Sequence, residues 1–407
     1  DKPLAFAGAP LWNRWGGNLA NTRFQSAATA GIDAASVRTL ELAWAFGFPD
    51  AQRARSQPAL TREALFTGSQ SGRVYALDSA TGCIHWTFDA GAEVRNAPVL
   101  GTDAAGRPQT LYFADFAATV YALDARTGRE LWRRSVKDHP DGTVTGSLAL
   151  HGGTLYVPMS STEVVSAFND QYACCTFRGG VTALAALDGK PRWRWHTVDV
   201  PRKVGTNAKG AAIMAPSGAP VWSTPTIDPK RGVLYVGTGE NYTSPANGVS
   251  DAIVALDLAS GRPRWIRQVT AGDAWNAACG ANAGANCPAE DGPDFDFGAP
   301  PILVTLADGR DLLLAGQKSG EGMGGFNGGI HWGMASDGRS LWVGIADTPG
   351  NRFAEGPPRQ GMHAFDAATG RPLWSRIEKP TCAQASYACM TALSAPVTAI
   401  PGVVFAG

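Results

Sequence analysis

An all-β fold built from a repeated four-stranded unit is what this sequence predicts, and three observations carry that reading. The first is a repeat. VYALDSATGCIHW ends at Trp86, VYALDARTGRELW at Trp132, VTALAALDGKPRW at Trp193, IVALDLASGRPRW at Trp265 and MHAFDAATGRPLW at Trp374. The second is the spread of 49 glycines and 27 prolines along the chain. With 13 Trp, 16 Phe and 8 Tyr to bury, that composition signals many turns and no disorder. The third is the scarcity of helical periodicity against many short period-two runs.

Each repeat decomposes into elements with a physical cause. V-x-A-x-D alternates like a strand with one face inward. The segment after it holds a Gly four residues before every Trp: Gly82, Gly128, Gly189, Gly261 and Gly370. Gly tolerates the positive φ that such a turn requires. In four repeats an Asp stands eight residues before the Trp (Asp78, Asp124, Asp257, Asp366), where its side chain can bond its own turn; Ala185 departs from this. A second strand then carries the Trp, free to pack on the next repeat. Upstream lie another strand and a Pro-marked strand entry at Pro58, Pro98, Pro225, Pro300 and Pro396. That makes four strands per unit. ELAWAFGF, with Trp44, reads as a lone final strand closing a ring with the C-terminal repeat. Four-stranded units with one Trp each fit a β-propeller. Long irregular insertions and the isolated N-terminal strand argue against an open solenoid.

Composition excludes several classes. Lys+Arg and Asp+Glu are 35 each, and no basic run occurs, so nothing favours nucleic acid or an anionic membrane. No apolar run approaches the roughly 18 residues of a membrane span. The N-terminus has no basic flank before an apolar stretch, so no signal peptide is expected within the chain. Of seven cysteines, Cys279 and Cys287, and Cys382 and Cys389, are short-range pairs in loops, Cys174 and Cys175 are adjacent, and Cys83 is left over. Short-range pairs read as disulfides in an oxidising compartment, periplasmic or secreted. Metal thiolates are the alternative, but no C-x-x-C pair occurs. Nor does C-x-x-C-H, so no covalent haem and no cytochrome c domain are expected.

The A-x-D-x-x-[TS]-G-x-x-x-W repeat and the opening WGGNLANTRFQ resemble the pyrroloquinoline quinone (PQQ) dehydrogenases. AWAFGFP, GSQSGRVYALD, CCTFRGG, GTGENY, GPDFDFGAP and GGIHWGMA resemble its polyvinyl alcohol dehydrogenase branch. The resemblance covers essentially the whole chain. It implies an eight-bladed β-propeller, one domain over 1–407, of the quinoprotein dehydrogenase type with Trp-docking repeats. Two departures imply incomplete blades. After GQKSG the chain passes at once to EGMGGFNGGIHWG, where the family continues a strand, a turn and a Trp. The chain also stops at VVFAG, where a further hairpin is expected. Segments are therefore expected to be missing after about residue 320 and beyond 407.

A quinone that takes hydride from an alcohol needs a base, a Lewis acid, flat faces for its ring and donors for its carboxylates. Asp294 and Asp296, two apart, would share a face on a strand; the resemblance places the catalytic Asp at Asp296. It implies Ca²⁺, a hard cation seeking oxygen, held by Asp296, Glu163 in STE, and Glu240 or Asn241. Glu240 stands where the family usually has Asn. Trp222 matches the Trp beneath the ring. Cys174–Cys175 resembles a vicinal disulfide on the other face, although here it sits in the insertion after Glu163. Lys318 matches the cation on the quinone oxygens. Arg95 and Arg178 are candidates for the carboxylates, Thr145 and Ser160 match hydroxyl contacts, and Gln57 stands where relatives often have Glu. Each has an ordinary alternative: a solvated loop acid, a Trp packing blades, a surface Lys or Arg.

The resemblance thus implies oxidation of secondary alcohol groups, polyvinyl alcohol or similar, with electrons passed to a separate cytochrome c. Two other functions stay open. One is a PQQ enzyme for small or aromatic alcohols, its specificity set by the insertions Val200–Pro216 and Ala271–Pro293. The other is a non-catalytic propeller scaffold resembling outer-membrane assembly lipoproteins.

Overall fold

The computed structural model describes residues 3–280, 283–320, 328–347, 359–378 and 392–407. Five antiparallel meanders of four strands form the bulk of the fold. They span Ala59–Asp89, Val99–Ser135, Ala149–His196, Thr226–Gln268 and Ala335–Ile377. Ile302–Thr305 with Asp311–Leu314, and Thr398–Ile400 with Val403–Phe405, form two-stranded sheets of the same kind. A further hairpin, Arg202–Thr206 with Ala212–Ala215, falls inside the predicted insertion. The first strands of successive sheets neighbour one another, from Val99–Thr102 through Ala149–His151, Thr226–Asp228, Ile302–Thr305 and Ala335–Ser336 to Thr398–Ile400. The result is a propeller. Seven such sheets occur among the described residues, against the eight blades implied above, and the short sheet at 302–314 precedes the departure after Gly320.

Sheets stack on both faces, so third strands are mostly apolar: Val74, Tyr75, Ala76 and Leu77 are all buried. Every complete sheet shifts register between its third and fourth strands, at Ala76/Leu77, Ala122/Leu123, Ala183/Leu184, Ala255/Leu256 and Ala364/Phe365. This bulge introduces the Asp turn. Asp124 Oδ1 accepts from the N–H groups of Arg126 and Thr127, and Asp257 Oδ1 from those of Ala259 and Ser260. The turn glycines lie at φ near +70°.

The Trp docks on that turn in the next sheet. Trp44, Trp86, Trp132 and Trp193 each donate their indole N–H to the carbonyl one residue past the turn's first position: Ser79, Ala125, Ala186 and Leu258. Their rings cover Gly82, Gly128, Gly189 and Gly261. At Gly128 a Cβ would meet the Trp86 ring at 2.7 Å, and φ is +72°. Strain and overpacking both oppose a side chain there. Gly128→Ala is expected to cost about 2–4 kcal/mol, read from the urea midpoint. Where the next sheet has only two strands, no turn among the described residues receives the Trp. Trp265 and Trp374 are accordingly 44% and 46% exposed.

One expectation is corrected. Residues 41–48 form no strand, because among the described residues no partner strand runs beside them, although Trp44 docks as the repeat predicts. The N- and C-terminal parts are joined instead by Arg23–Gln25, whose backbone bonds Ala399 on both sides. Buried Arg23 donates to Val397 O, Trp15 O, Thr398 Oγ1 and Gln57 Oε1. Cys174–Cys175 and Cys279–Cys287 are bonded, and Cys83 is exposed and free. Cys382 and Cys389 lie outside the described residues. Among those residues no helix is long and apolar enough to cross a membrane.

Candidate active site

Strand entries and exits from neighbouring sheets converge on a cavity of about 650 Å³. Arg55, Arg95 and Trp222 each stand three residues before a strand-entry proline, and all three line it. In these three sheets the repeat therefore points one side chain at the same space. Glu240 follows the strand Val233–Gly237, Lys318 follows Asp311–Leu314, and Asp294 and Asp296 lie in the loop before Ile302–Thr305.

The two aspartates are not on a strand. Asp294 adopts φ +60°, and the loop is pinned by buried Asp273, which accepts from the N–H groups of Asp294 at 3.3 Å and Phe295 at 2.9 Å. Both carboxylates nonetheless meet Lys318. Its Nζ is 2.8 Å from Asp294 Oδ1 and 2.8 Å from Asp296 Oδ2. Asp296 also accepts from Glu240 N at 3.0 Å and Trp222 Nε1 at 3.1 Å. Lys318 Nζ lies 5.5 Å from the Trp222 ring centre. A Cβ on Gly239 would stand 2.6 Å from Asp296 Oδ1, so glycine there admits the carboxylate.

Burial pushes each acid toward its neutral form. For Asp296 the Lys318 charge and the hydrogen bonds from Glu240 and Lys318 outweigh burial and hold the pKa below the usual carboxylate range. For Asp294 burial wins, with Asp296 adding to it, and the pKa rises to about 8. Glu240 is raised well above normal by burial, then by Asp296 and Asp294. Burial would strip the Lys318 proton, but Asp294, Asp296 and Glu240 keep it charged. His331, stacked on Trp332 at 4.3 Å and edge-on to Trp222 at 5.4 Å, is lowered to about 3 by burial and then Lys318. One site thus holds a carboxylate kept ionised, Asp296, two carboxyls pushed toward the protonated form, Asp294 and Glu240, and a fixed ammonium.

Carboxylate oxygens of Glu240, Asp294 and Asp296 lie within 4.8 Å of one another. A buried all-oxygen triad of this kind fits a hard divalent cation such as Ca²⁺. The indole face of Trp222, the Lys318 ammonium and the guanidinium groups of Arg53, Arg55 and Arg95 around the same cavity fit a flat, polyanionic quinone.

Of the residues singled out from sequence, Asp294, Asp296, Glu240, Lys318, Trp222, Arg95, Thr145 and Ser160 share the cavity. The others do not line it. Glu163 faces away: its oxygens accept from Thr176 N, Phe177 N and Tyr172 Oη at 2.7, 2.7 and 2.9 Å, with His139 at 3.4 Å. Asn241 is built into its own turn through Ser217 O and Asn247 N. Gln57 is taken by Arg23, and Arg178 donates to Val198 O. Cys174–Cys175 packs in the core beside Phe177 and Tyr242, not on the cavity surface. The triad in this structure is therefore Glu240, Asp294 and Asp296, without Glu163 or Asn241. Sequence reasoning missed Arg53 and Arg55. The signal for Arg55 was its position three before Pro58, matching Arg95 before Pro98.

A propeller whose sheets deliver a buried lysine and three acids to one cavity defines a class, and comparison narrows it. The family described as "Outer membrane protein assembly factor BamB" matches residues 28–208, and "Glucose/ethanol/alcohol dehydrogenase, beta-propeller domain" matches 157–283. The whole chain aligns with polyvinylalcohol dehydrogenases of Pseudomonas sp and Sphingopyxis sp., at 39% and 36% identity. It spans 65% of the length of each. Quinohemoprotein alcohol dehydrogenase of Comamonas testosteroni is similar in fold (TM-score 0.67, 18% identity, 97% of this chain and 70% of that one), as is a europium-containing methanol dehydrogenase (0.70, 17%, 98% and 82%). The chain is thus similar over its whole length to polyvinylalcohol dehydrogenases and, in fold, to quinohemoprotein alcohol dehydrogenase.

Proposed function

We propose that this chain is the dehydrogenase module of a PQQ- and Ca²⁺-dependent enzyme that oxidises secondary alcohol groups, those of polyvinyl alcohol or a similar substrate. The observation that carries the proposal is the ammonium of Lys318 held 2.8 Å from both Asp294 and Asp296 beside the Trp222 ring. A propeller that only packs against partners has no use for an ionised cluster at this depth. The names of two relatives that align over the whole chain supply the substrate class.

When bound, PQQ supplies an electrophilic quinone carbonyl that accepts hydride. The residues do the rest. Asp296, ionised and fixed by Trp222 and Glu240 N, takes the alcohol proton. Lys318 supplies positive charge where oxyanion character develops. Glu240, Asp294 and Asp296 would hold the Ca²⁺. Arg53, Arg55 and Arg95 would bind the cofactor carboxylates. Thr145, whose hydroxyl donates to Trp222 O at 3.2 Å, helps fix the backbone that carries the indole. Electrons then pass to a cytochrome c, and the disulfides suit an oxidising compartment.

The test is reconstitution with PQQ and Ca²⁺ and dye-linked oxidation of a secondary-alcohol panel including polyvinyl alcohol, beside Asp296→Asn. Activity should need both additions and vanish in the variant. A folded chain that binds no PQQ would sink the proposal. Trp222→Phe keeps an aromatic face but removes the N–H donated to Asp296. A hydrogen bond to a charged group is worth about 1.5–3 kcal/mol, so turnover should fall about 10- to 100-fold, with KM for the alcohol little changed.

A further inference from the structure

The helical turn after strand Thr154–Ser161 carries apolar residues on the side that faces water. Glu163–Ser166 is one turn of helix, and Ala167 continues its αR conformation. At about 100° per residue, Glu163 and Ala167 fall on one side. Both are fully buried, and Ser166 beside them donates to Asp141 Oδ2 at 3.1 Å. Val164, Val165 and Phe168 fall together on the other side, within an arc of about 100°. Val164 lines the active-site cavity. Val165 and Phe168 are not among its walls and are 61% and 74% exposed. A single exposed apolar side chain is ordinary. A strip that starts on a cavity wall and continues outside it marks a binding surface. Ala277 N donates to Val164 O at 3.0 Å and brings the loop of Trp275, another cavity-lining side chain, alongside.

The strip is held from behind. Asn286 Nδ2 donates to Ala167 O, Asn169 O and Tyr172 O at 3.2, 3.0 and 3.2 Å. Asn207 Nδ2 donates to Asp170 O at 2.9 Å and to Asn286 Oδ1 at 2.8 Å. The Cys279–Cys287 disulfide closes the loop that carries Asn286. The insertions 200–216 and 271–293 therefore brace this turn. A fixed apolar face loses little freedom when a ligand settles on it. Val164, Val165 and Phe168 carry no charge, so the ligand they suit is uncharged where it touches them. A small alcohol enters the cavity and has no reason to reach Phe168. A chain whose ends stay outside the cavity does.

We propose that Val165 and Phe168 are specificity residues that hold the part of a polymeric substrate left outside the cavity. The occupant is a chain of alternating methylene and secondary carbinol carbons, seated by its methylene side. The substrate class rests on the function proposed above; the exposed strip does not.

Both side chains are exposed, so Phe168→Ser and the double variant Val165→Ser/Phe168→Ser are expected to fold as the wild type does. In protein reconstituted with PQQ and Ca²⁺, KM for polyvinyl alcohol should rise about tenfold in Phe168→Ser and further in the double variant. kcat should not change, nor should either constant for pentane-2,4-diol, a short piece of the same chain. Phe168→Leu, which keeps the apolar surface, should retain most of the affinity. Native gels cast with polyvinyl alcohol read binding without turnover: the wild type should be retarded and the serine variants less so. Wild-type KM and wild-type retardation in the double variant overturn the proposal. So does an equal loss on polymer and diol, which would make the two residues part of the cavity's own architecture. A raised KM for cytochrome c with unchanged polymer kinetics also overturns it, and makes the strip a docking face for the acceptor. If the wild type oxidises the diol but neither oxidises nor binds the polymer, the proposal falls and the dehydrogenase reading stands. If it oxidises neither alcohol, the proposed function falls, and retardation in the gel alone decides the strip.

Discussion

Lys318→Ala is expected to abolish turnover and to destabilise the fold by about 3–5 kcal/mol, the usual cost of removing one member of a buried ion pair. The argument is one of geometry. Lys318 Nζ is the one charged group that touches both Asp294 and Asp296, and all three side chains are buried. Without it Asp296 loses the charge that keeps it ionised and becomes a poor base. Loss of an oriented charge at a developing oxyanion costs about 10²–10³ in rate, and loss of the base adds to that. Lys318→Arg should restore part of the stability but little of the rate. Its planar fork cannot place one atom 2.8 Å from both carboxylates. Urea denaturation beside turnover of the reconstituted enzyme separates the two effects. Full stability in Lys318→Ala would mean that Asp294 and Asp296 are not both held by this charge.

How much of this was legible depended on whether a residue's role is local. The Asp–Gly turn and the Trp are local, because a positive φ and a self-bonded Asp are properties of a few residues. Gly128, Asp124 and Trp86 could therefore be read as a docking device before any sheet was known. Trp222, Asp296 and Lys318 were legible through resemblance, and the backbone delivers them to one cavity. The direction of a side chain is not local. Glu163 lies on a turn beside the cavity lining, yet His139, Tyr172 and the Thr176–Phe177 backbone pull its carboxylate the other way. Gln57 was drawn off by Arg23, which is 34 residues away in sequence. The closing strand failed because Trp44 needs only a turn to dock on, whereas a strand needs a neighbour. Asp251 carried no signal at all: an Asp at a strand entry is ordinarily solvated, and only its burial, with no hydrogen-bond partner for either carboxylate oxygen, makes it anomalous.

Removing Ca²⁺ is expected to make stability fall with rising pH between about 6.5 and 8, a fall that bound Ca²⁺ offsets. In the metal-free protein Asp294 holds its proton up to about 8, against 3.8 for an exposed aspartate. Across that span the folded state keeps a proton that the unfolded state has released, so stability falls as pH rises. Glu240 and Asp251, raised by the same burial, act in the same direction. His331 opposes them. Its folded pKa of about 3 lies below the model-compound 6.5, so its contribution to stability rises with pH, but only until 6.5 is passed. Above that point the carboxyls act unopposed, at about 1.4 kcal/mol per pH unit for each proton. A divalent ion at Glu240, Asp294 and Asp296 displaces those protons, so its affinity climbs about tenfold per pH unit per proton released until pH 8. Stability with saturating Ca²⁺ should therefore hold or rise where the EDTA-treated protein loses it. Denaturation midpoints at pH 6.5, 7, 7.5 and 8, with EDTA and with Ca²⁺, decide the matter. Because His139, whose Glu163 partner raises its pKa against the pull of burial, titrates in both series, only the difference between them reports on the triad. Parallel slopes in EDTA and Ca²⁺ would show that the ion does not bind at Asp294.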